Sequence, residues 1–598
     1  MKINYPWLQT YFEEKLPPPT ELAEALTFHA FEIESVDGDV LDVKVTPNRG
    51  HDALSHRGIA KELSAILNIP LKHDPLRESV SLLPQTDAVA VSLPETGLCG
   101  RYIAGYLRGV KVGPSPQWLK ERIESIGQRS INNVVDAANF VMFDLGEPLH
   151  AFDAGKFTKK GNQITVGVRN AKQSERITTL EGKEYELTTA HLVITDDGSD
   201  TPIAIAGVKG GKLLEVTPGT TELILEAAAF DGVSVRRGAA ALKLRTEASS
   251  RFEQVLSKEL PLYAMNAFAK LVLEVAGGEV VGFVDAYPEP QTVAPVTVSV
   301  SQINGLLGTH FSPKDVEGVF TRLDLPYIAK GETFTVHPPH ERLDLTIPED
   351  LVEEVGRIKG YENVPASNLP AASRQPEVSR VFALEDAIRE NFLGRGYTEV
   401  LTSVFTEKGE RAVLNKVDSV KPYLRESLLP GLTYALEKNV PNKGLLGLTS
   451  IKLFEIGTVW RNGKEETLVG TADEKSATEQ SLEEAGKLLD VSVYKNYPLS
   501  TTVAYQPFSQ YPAVLRDVSL FVPSGVSATD VEQVIRGVGT DLLVKVENFD
   551  VFEKGNQTSY ALHLVFQADD RTLTDSEVST IMENVTRALE GREGWKVR

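Results

Sequence analysis

A chain of 598 residues is too long for one hydrophobic core and calls for several domains. Hydrophobic content of 41% and charged content of 24% are those of ordinary soluble globular protein, and no apolar run approaches the ~20 residues of a membrane span. The net charge of −21 excludes a general nucleic-acid binder with a basic footprint, although a local patch or a partner subunit can still serve RNA.

The single cysteine, Cys99, excludes an internal disulfide framework and any multi-cysteine zinc site. The N-terminus MKINYPWLQTYFEEKL carries aromatic and acidic residues where a signal peptide would have an apolar core, so the expected location is the cytoplasm.

Residues 1–85 predict an α+β module. Leu22, Ala25 and Leu26 recur at helical spacing, and a short strand over 31–36 leads through Asp37-Gly38 into a second strand with Val40, Leu41, Val43 and Val45. A helix capped by Asp52 or Ser55 follows, with Ile59, Leu63, Ile66 and Leu67 on its inner face. Arg49, His51, Asp52 and His56 form a polar cluster at its start, read as solvated charges.

Residues 86–290 change to short β-branched runs between Gly, Asp and Asn turns, the pattern of a mixed-sheet α+β domain. Within it, RSINNVVDAANFVMFDLGEPLHAFD (129–153) mixes Asn132, Asn133, Asn139, Asp136 and Asp144 with apolar residues and ends near His150. Buried amides need partners, so the stretch reads as a pocket wall. IAIAGVKGG places Gly207, Gly210 and Gly211 directly after a strand without the GxGxxG spacing of a dinucleotide site. ELILEAAAF puts Glu226 in an apolar strand, where a carboxylate needs a reason. VRRGAAALKLRTEASSRFEQ is rich in Arg236, Arg237, Lys243, Arg245 and Arg251, for which a solvated helical face is an equally good account.

AYPEPQTVAP (286–295) is a linker to a small module at 296–365. In ERLDLTIPEDLVEEVGRIKGY, Thr346 and Glu349 have capping-box spacing and Pro348 suits a first helical turn. Asp350, Glu353 and Glu354 then share a face, with Asp344 just upstream; either this is a solvated acidic face, or a hard cation such as Mg2+ neutralises four carboxylates. A second linker at 364–376 precedes a mixed α/β domain at 377–505, with helix SRVFALEDAIRENFLGRG and strands TEVLTSVF and KLFEIGTVW. Residues 508–598 run β-α-β-β-α-β, the ferredoxin-like order, and no basic stripe marks them.

TPNRGHDALSHRGIAKEL, INNVVDAANFVMFDLGEPLHAFD, IAIAGVKGG, LRTEASSRFE, ERLDLTIPEDLVEEVGRIKGYENVP, SLLPGL, LFEIGTVW, YPAVLRDVSLFV and RTLTDSEV occur in this order. Together they resemble the beta subunit of bacterial phenylalanyl-tRNA synthetase over nearly the whole chain. The resemblance implies a multidomain α+β fold: an editing domain, a small helical, winged module, a degenerate class II synthetase-like domain at 377–505 without catalytic residues, and a ferredoxin-like anticodon-binding domain. It implies an alpha subunit that binds ATP and charges tRNA(Phe), in a heterotetramer of two alpha and two beta chains, with no membrane or DNA partner. It carries Mg2+ ligation onto Asp344, Asp350, Glu353 and Glu354. It also carries hydrolysis of mischarged Tyr-tRNA(Phe) onto His150 and Glu226, with Ala206, Gly207, Asn139 and Ala138 as substrate-binding positions. Glu226 would accept the tyrosine hydroxyl, Ala206-Gly207 would admit the ring, and His150 would position water or the tRNA end.

Three departures stand out. The family's OB-fold tRNA-binding module is missing near 37–39, the family's VVDVTNYVM reads VVDAANFVM with Ala138 and Phe140 in place of threonine and tyrosine, and the synthetase-like domain is short. The alternatives are a free-standing aminoacyl-tRNA deacylase and an editing-deficient structural subunit.

Overall fold

Two units make up the chain, Met1–Leu369 and Pro370–Arg598. The computed structural model describes residues 1–94, 97–366, 368–369, 377–415, 419–446, 448–491, 494 and 507–598. Most of the predicted linker at 364–376 and the expected end of the synthetase-like domain at 492–505 lie outside the described residues.

The first unit opens with β1 (Lys2–Asn4), α1 (Pro19–His29), β2 (Glu32–Asp37), β3 (Val40–Lys44) and α2 (His56–Leu67), the sheet order being β1-β3-β2. Leu22 and Leu26 of α1 and Ile59 and Leu63 of α2 are fully buried, as their spacing predicts. Asp37 pairs directly with Val40, and Gly38 takes the positive φ of 56° that this tight turn requires, so β2 and β3 form one hairpin with nothing inserted.

The expected solvated charges at the start of α2 are instead buried. Ser55 caps the helix by accepting from the Gly58 amide, while Arg49, His51 and His56 lie inside. His56 stacks on Trp7 at 3.9 Å, accepts from the Asn4 amide at 3.1 Å through Nε2, and faces the Phe143 carbonyl through Nδ1. Burial pulls its pKa down to about 3, and one acceptor nitrogen beside one donor nitrogen is the pattern of a neutral imidazole.

Two sheets face each other between residues 89 and 286. The strands are β4 (Val89–Ser92), β5 (Cys99–Arg108), β6 (Leu149–Asp153), β7 (Ile164–Asn170), β8 (Leu192–Asp196), β9 (Thr201–Ile205), β10 (Lys209–Gly210), β11 (Glu222–Phe230) and β12 (Glu279–Ala286). One sheet has the order β10-β9-β8-β7-β4 and the other β12-β5-β11-β6. Helices α3 (Asn133–Leu145), α4 (Gly232–Leu242), α5 (Glu247–Phe252) and α6 (Leu260–Ala276) complete the domain.

Strand alternation sorts the second sheet's side chains onto two faces. Tyr102, Ala104, Phe152, Ile224 and Ala228 meet Val166, Val168, Ile194, Ile203 and Ile205 of the first sheet. Ile103, Leu107, Leu223, Leu225 and Ala227 pack on the other side against Val134, Ala138, Val141, Phe268 and Val272 of α3 and α6. Glu226 shares the period of Ile224 and Ala228 and so lies on the face between the sheets.

The unit ends in a module of β13 (Val296–Ser299), α7 (Val300–Leu307), α8 (Pro313–Arg322), β14 (Tyr327–Lys330), β15 (Thr333–Val336) and α9 (Pro348–Lys359), with sheet order β13-β15-β14. Leu351, Val355 and Ile358 of α9 bury against Val298, Ile303, Phe320 and Phe334.

The second unit contains α10 (Arg380–Gly394), β16 (Thr398–Glu399), α11 (Leu429–Asn439), β17 (Lys452–Arg461), β18 (Lys464–Asp473) and β19 (Ala477–Ser481), in a sheet of order β16-β17-β18-β19. TEVLTSVF, expected as one strand, pairs only at Thr398–Glu399 and Phe405–Thr406. Between them, the Thr402 amide and hydroxyl donate to the buried Glu455 carboxylate, which takes the chain off the ladder. Its last domain runs β20 (Val514–Pro523), α12 (Ala528–Val538), β21 (Leu543–Lys554), β22 (Gln557–Phe566), α13 (Asp575–Glu590) and β23 (Lys596–Val597), with sheet order β21-β22-β20-β23, as the sequence order predicts.

Candidate functional site

A cavity opens between the two facing sheets, at the edge formed by β6 and β9–β10. It is small and opens to solvent. Its lining includes Leu149, His150, Ile205, Gly207, Gly210, Glu226 and Phe252.

Register puts the two titratable groups together. β6 and β11 pair antiparallel, with His150 directly opposite Glu226, so both side chains stand on the same face of the sheet. Glu226 is only 6% exposed, and its Oε2 has no hydrogen-bond partner. The buried Tyr102 hydroxyl lies close enough to pull the Glu226 carboxyl down against the larger push of burial, but its geometry falls short of a full hydrogen bond. Burial pushes the Glu226 carboxyl up to about 8 and the His150 imidazole down to about 4. At neutral pH the floor of the cavity is therefore uncharged: a protonated acid faces a neutral imidazole. An unpaired buried carboxyl costs stability unless a ligand completes it, so the orphaned oxygen points to a polar group that arrives with the ligand.

Gly207 lines the cavity at a φ of 67°, and a Cβ there would meet Val235 Cγ2 at 2.7 Å. Sequence reasoning left Gly210 without a role. A Cβ on it would lie 2.6 Å from His150 Cε1 and 2.8 Å from Nε2, so only glycine lets the ring occupy its place. Phe252, also unanticipated, brings an aromatic wall from α5. No signal in its own neighbourhood marks it, since the contact arises only when the helix packs against Phe230 and the inter-sheet core.

Three expected positions do not line the cavity. Ala206 is buried in the inter-sheet core, its amide donating to the Leu192 carbonyl. Ala138 belongs to α3 and packs under the opposite face of the sheet, and Asn139 on the same helix is not among the lining residues. Phe140 stacks on Trp7 at 4.5 Å, away from the cavity. The amides that made 129–153 look like a pocket wall serve the fold. Asn132 caps α3 through the Val134 and Val135 amides, and Asn133 bonds Gly113, Lys111 and Val275. Only its last part, at Pro148–His150, reaches the cavity.

The acidic cluster is also arranged differently from expectation. Asp350, not Glu349, closes the capping box, accepting from the Ile347 and Thr346 amides at 2.8 and 2.7 Å. Asp344 is gripped by Arg342 Nε and Nη2 at 2.9 and 2.6 Å. Glu354 is bonded by Arg357 at 2.8 and 2.7 Å and by Arg342 at 3.2 Å, while Glu353 is exposed. Arg357 and Arg49 also hold Glu62 of α2. Guanidinium groups supply the neutralising charge, and among the described residues no three His, Cys, Asp or Glu side chains gather as a metal site. These four carboxylates do not fit an oxygen-only Mg2+ cage.

Four family models match the chain: the B3/4 domain at residues 98–277, the tRNA synthetase B5 domain at 296–361, the phenylalanyl tRNA synthetase beta chain CLM domain at 365–497, and the ferredoxin-fold anticodon binding domain at 509–598. The cavity lies within the first. Among curated relatives, the phenylalanine–tRNA ligase beta subunit of Moorella thermoacetica is 33% identical, over 95% of this chain and 81% of its own length. That of Geobacillus kaustophilus is 31% identical over the same shares, and that of Carboxydothermus hydrogenoformans 30% over 98% and 83%. This chain is thus shorter than these relatives, and it belongs to the phenylalanine–tRNA ligase beta subunit family.

Proposed function

We propose that the chain supports ATP-dependent attachment of phenylalanine to tRNA(Phe) by an alpha subunit, in a ligase of two alpha and two beta chains, and that its inter-sheet cavity hydrolyses mischarged Tyr-tRNA(Phe). ATP and Mg2+ serve the ligase reaction on the alpha subunit. The 377–505 domain is a class II-like scaffold for docking, the 296–365 module is winged, and 508–598 engages the anticodon region of tRNA. The complex works in the cytoplasm, and no described helix is long and apolar enough to cross a membrane.

The observation that carries the proofreading reading is the orphaned Glu226 oxygen facing His150 at the cavity floor. A protonated Glu226 still offers a carbonyl oxygen to the tyrosine phenol. Phenylalanine has no hydroxyl to complete that oxygen, so the correctly charged tRNA is spared. A synthetic pocket gains limited discrimination against one added hydroxyl, whereas a site built to hydrogen-bond it discriminates strongly. His150, held neutral by burial, positions the attacking water or the tRNA end beside the ester. Water adds to the ester carbonyl, the bond to the ribose oxygen breaks, and tyrosine and free tRNA leave.

Purified complex with its alpha subunit should charge tRNA(Phe) with phenylalanine and deacylate Tyr-tRNA(Phe). Charging without deacylation would remove the proofreading half. Gly210→Ala drives a methyl into the His150 ring. A displaced imidazole no longer meets the ester, and misplacement on the order of 1 Å can cost roughly 100-fold, so Tyr-tRNA(Phe) deacylation should fall by about that much with Phe charging unchanged. Equal deacylation by the variant would remove His150 from the site.

A further inference from the structure

Among the described residues, none of the N-terminal module lines the cavity, yet the short helix α5 touches both.

One face of α5 belongs to the cavity, where Ala248 and Phe252 form part of the lining. The Phe252 ring packs edge-on against Phe230 at 5.2 Å. It also lies so close to Gly207 that a Cβ there would sit 3.1 Å from its Cδ2. The helix start is held to the same wall, since the hydroxyl of its cap, Thr246, donates to the carbonyl of the lining residue Val208 at 2.9 Å.

The other face turns to the N-terminal module and carries Arg251. This side chain is 1% exposed, not on the solvated face that its sequence neighbours suggest. Its Nε donates to the Leu54 carbonyl at 3.1 Å, and its Nη1 to the carbonyl and carboxylate of Glu247 at 3.0 and 2.8 Å. Its Nη2 lies 3.4 Å from the Met1 sulfur, and the guanidinium sits 4.7 Å from the ring centre of Phe143 in α3. Just beyond the helix, Gln254 packs on Gly50 so tightly that a Cβ there would lie 2.5 Å from its Cγ.

A guanidinium is a costly choice for that place. Burial works against its charge, and its carboxylate partner Glu247 is itself half exposed. A methionine would pack on Phe143 without that cost. What the arginine adds is direction: one bond to Leu54, 197 residues away in the chain, and another back to the start of its own helix. Together they fix both the position and the rotation of α5. Six residues of helix are too few to hold themselves, so Phe252, the next residue along, stands where Arg251 puts it.

We infer that Arg251 is a positioning residue for proofreading: by bonding α5 to the Leu54 carbonyl of the N-terminal module, it sets where the Phe252 ring stands as a wall of the cavity, and so how tightly the tyrosine ring is held. This rests on the proofreading reading above and extends it to a module that contributes nothing to the lining. Arg251 itself touches no substrate.

The test is a double-mutant cycle in the alpha–beta complex, read as KM and kcat for deacylation of Tyr-tRNA(Phe). Phe252→Leu shortens the wall directly and should raise KM about 10-fold, the effect of a poorly filled apolar pocket. Arg251→Met keeps the bulk of the stem and drops the anchoring bonds. It should raise KM by about as much, with kcat and phenylalanine charging unchanged, because uniform binding is what is lost. The combined variant should stay at about 10-fold, since a wall already cut back cannot be misplaced again. If a lowered melting temperature or charging rate shows that Arg251→Met folds poorly, Glu247→Gln takes its place. Glu247 is half exposed, and its loss slackens Arg251 alone, for a KM rise of roughly 2- to 5-fold that again vanishes beside Phe252→Leu. An unchanged KM in the Arg251 variant would overturn the inference. So would effects that multiply to about 100-fold, which would make Arg251 and Phe252 independent. If Glu226→Ala in the same complex leaves deacylation intact, the cavity reading itself fails, and the positioning role with it.

Discussion

Arg342→Ala is expected to destabilise the Met1–Leu369 unit by about 3–5 kcal/mol, because it strands charges in the interior. Arg342 is 6% exposed and stands between Asp344 and Glu354. Its loss leaves Asp344 with only His51 at 3.1 Å and the more distant Arg49. Glu354 keeps Arg357, but Arg357 is already shared with Glu62 of α2. Arg342→Lys should recover little, since the ammonium cannot reproduce the two-pronged contact with Asp344. The same network sets an acid limit. Burial alone would raise the Glu354 carboxyl, yet Arg342 and Arg357 hold it down at about 2. Burial is likewise outweighed at Asp344 by Arg342 and at Glu62 by Arg357 and Arg49. Groups depressed on folding add stability that is present above their unfolded values near 4 and lost as pH falls toward 2. Hydrogen exchange in the complex reads both effects. Protection across Pro348–Lys359 and His56–Leu67 should drop in Arg342→Ala at pH 7 and in the unmutated chain below pH 4. Unaltered protection in the variant would mean that the network is not what joins these helices.

That network shows where sequence reading stops. The four carboxylates were visible as a cluster because helical spacing is local, but only Asp344 and Glu354 are ion-paired, and part of what surrounds them, Arg49 and Glu62, comes from a distant stretch of the chain. Two signals were nevertheless present: Arg357 sits three residues after Glu354, and Arg342 two before Asp344 in an extended segment. Pairing each carboxylate with its nearest arginine would have predicted the ion pairs. The ferredoxin-like domain was legible because its strands alternate cleanly and each helix begins at a Ser or Thr cap, Ser527 and Thr574. Glu226 was legible as a carboxylate in the middle of an apolar strand. Its partner His150 became one only through cross-strand register, which sequence alone does not fix. The asparagines of 129–153 misled for a physical reason. A polar residue that caps a helix or bridges loop carbonyls has the same composition signature as one that meets a ligand, and only the partner tells them apart.

Glu226→Gln is expected to stabilise the chain at pH 7 by about 3 kcal/mol while weakening its proofreading. The folded carboxyl titrates at about 8 because burial penalises its ionised form, against an ordinary value of 4.5. A group raised on folding has its full stability below the ordinary value and loses it as pH climbs through the folded one. Each unit costs about 1.4 kcal/mol, so the loss accumulates from pH 4.5 and levels off above 8. Glutamine keeps the shape and a carbonyl acceptor but has no proton to lose, which flattens that dependence. Thermal unfolding at pH 5 and pH 8 checks this: the unmutated chain should lose stability between them and the variant should not, and parallel curves would place Glu226 in a wetter site than its 6% exposure indicates. The catalytic readout runs the other way. Removing the acceptor altogether in Glu226→Ala withdraws a hydrogen bond that the tyrosine phenol completes and phenylalanine cannot, worth about 1–3 kcal/mol when buried, or roughly 5- to 150-fold in selectivity for Tyr-tRNA(Phe) over Phe-tRNA(Phe). Glu226→Gln should fall between the unmutated chain and Glu226→Ala, because its amide can accept from the phenol yet adds N–H donors beside the Tyr102 hydroxyl. Both halves have one cause. The oxygen that lacks a partner in the free chain destabilises it, and that same lack makes the cavity respond to a single hydroxyl.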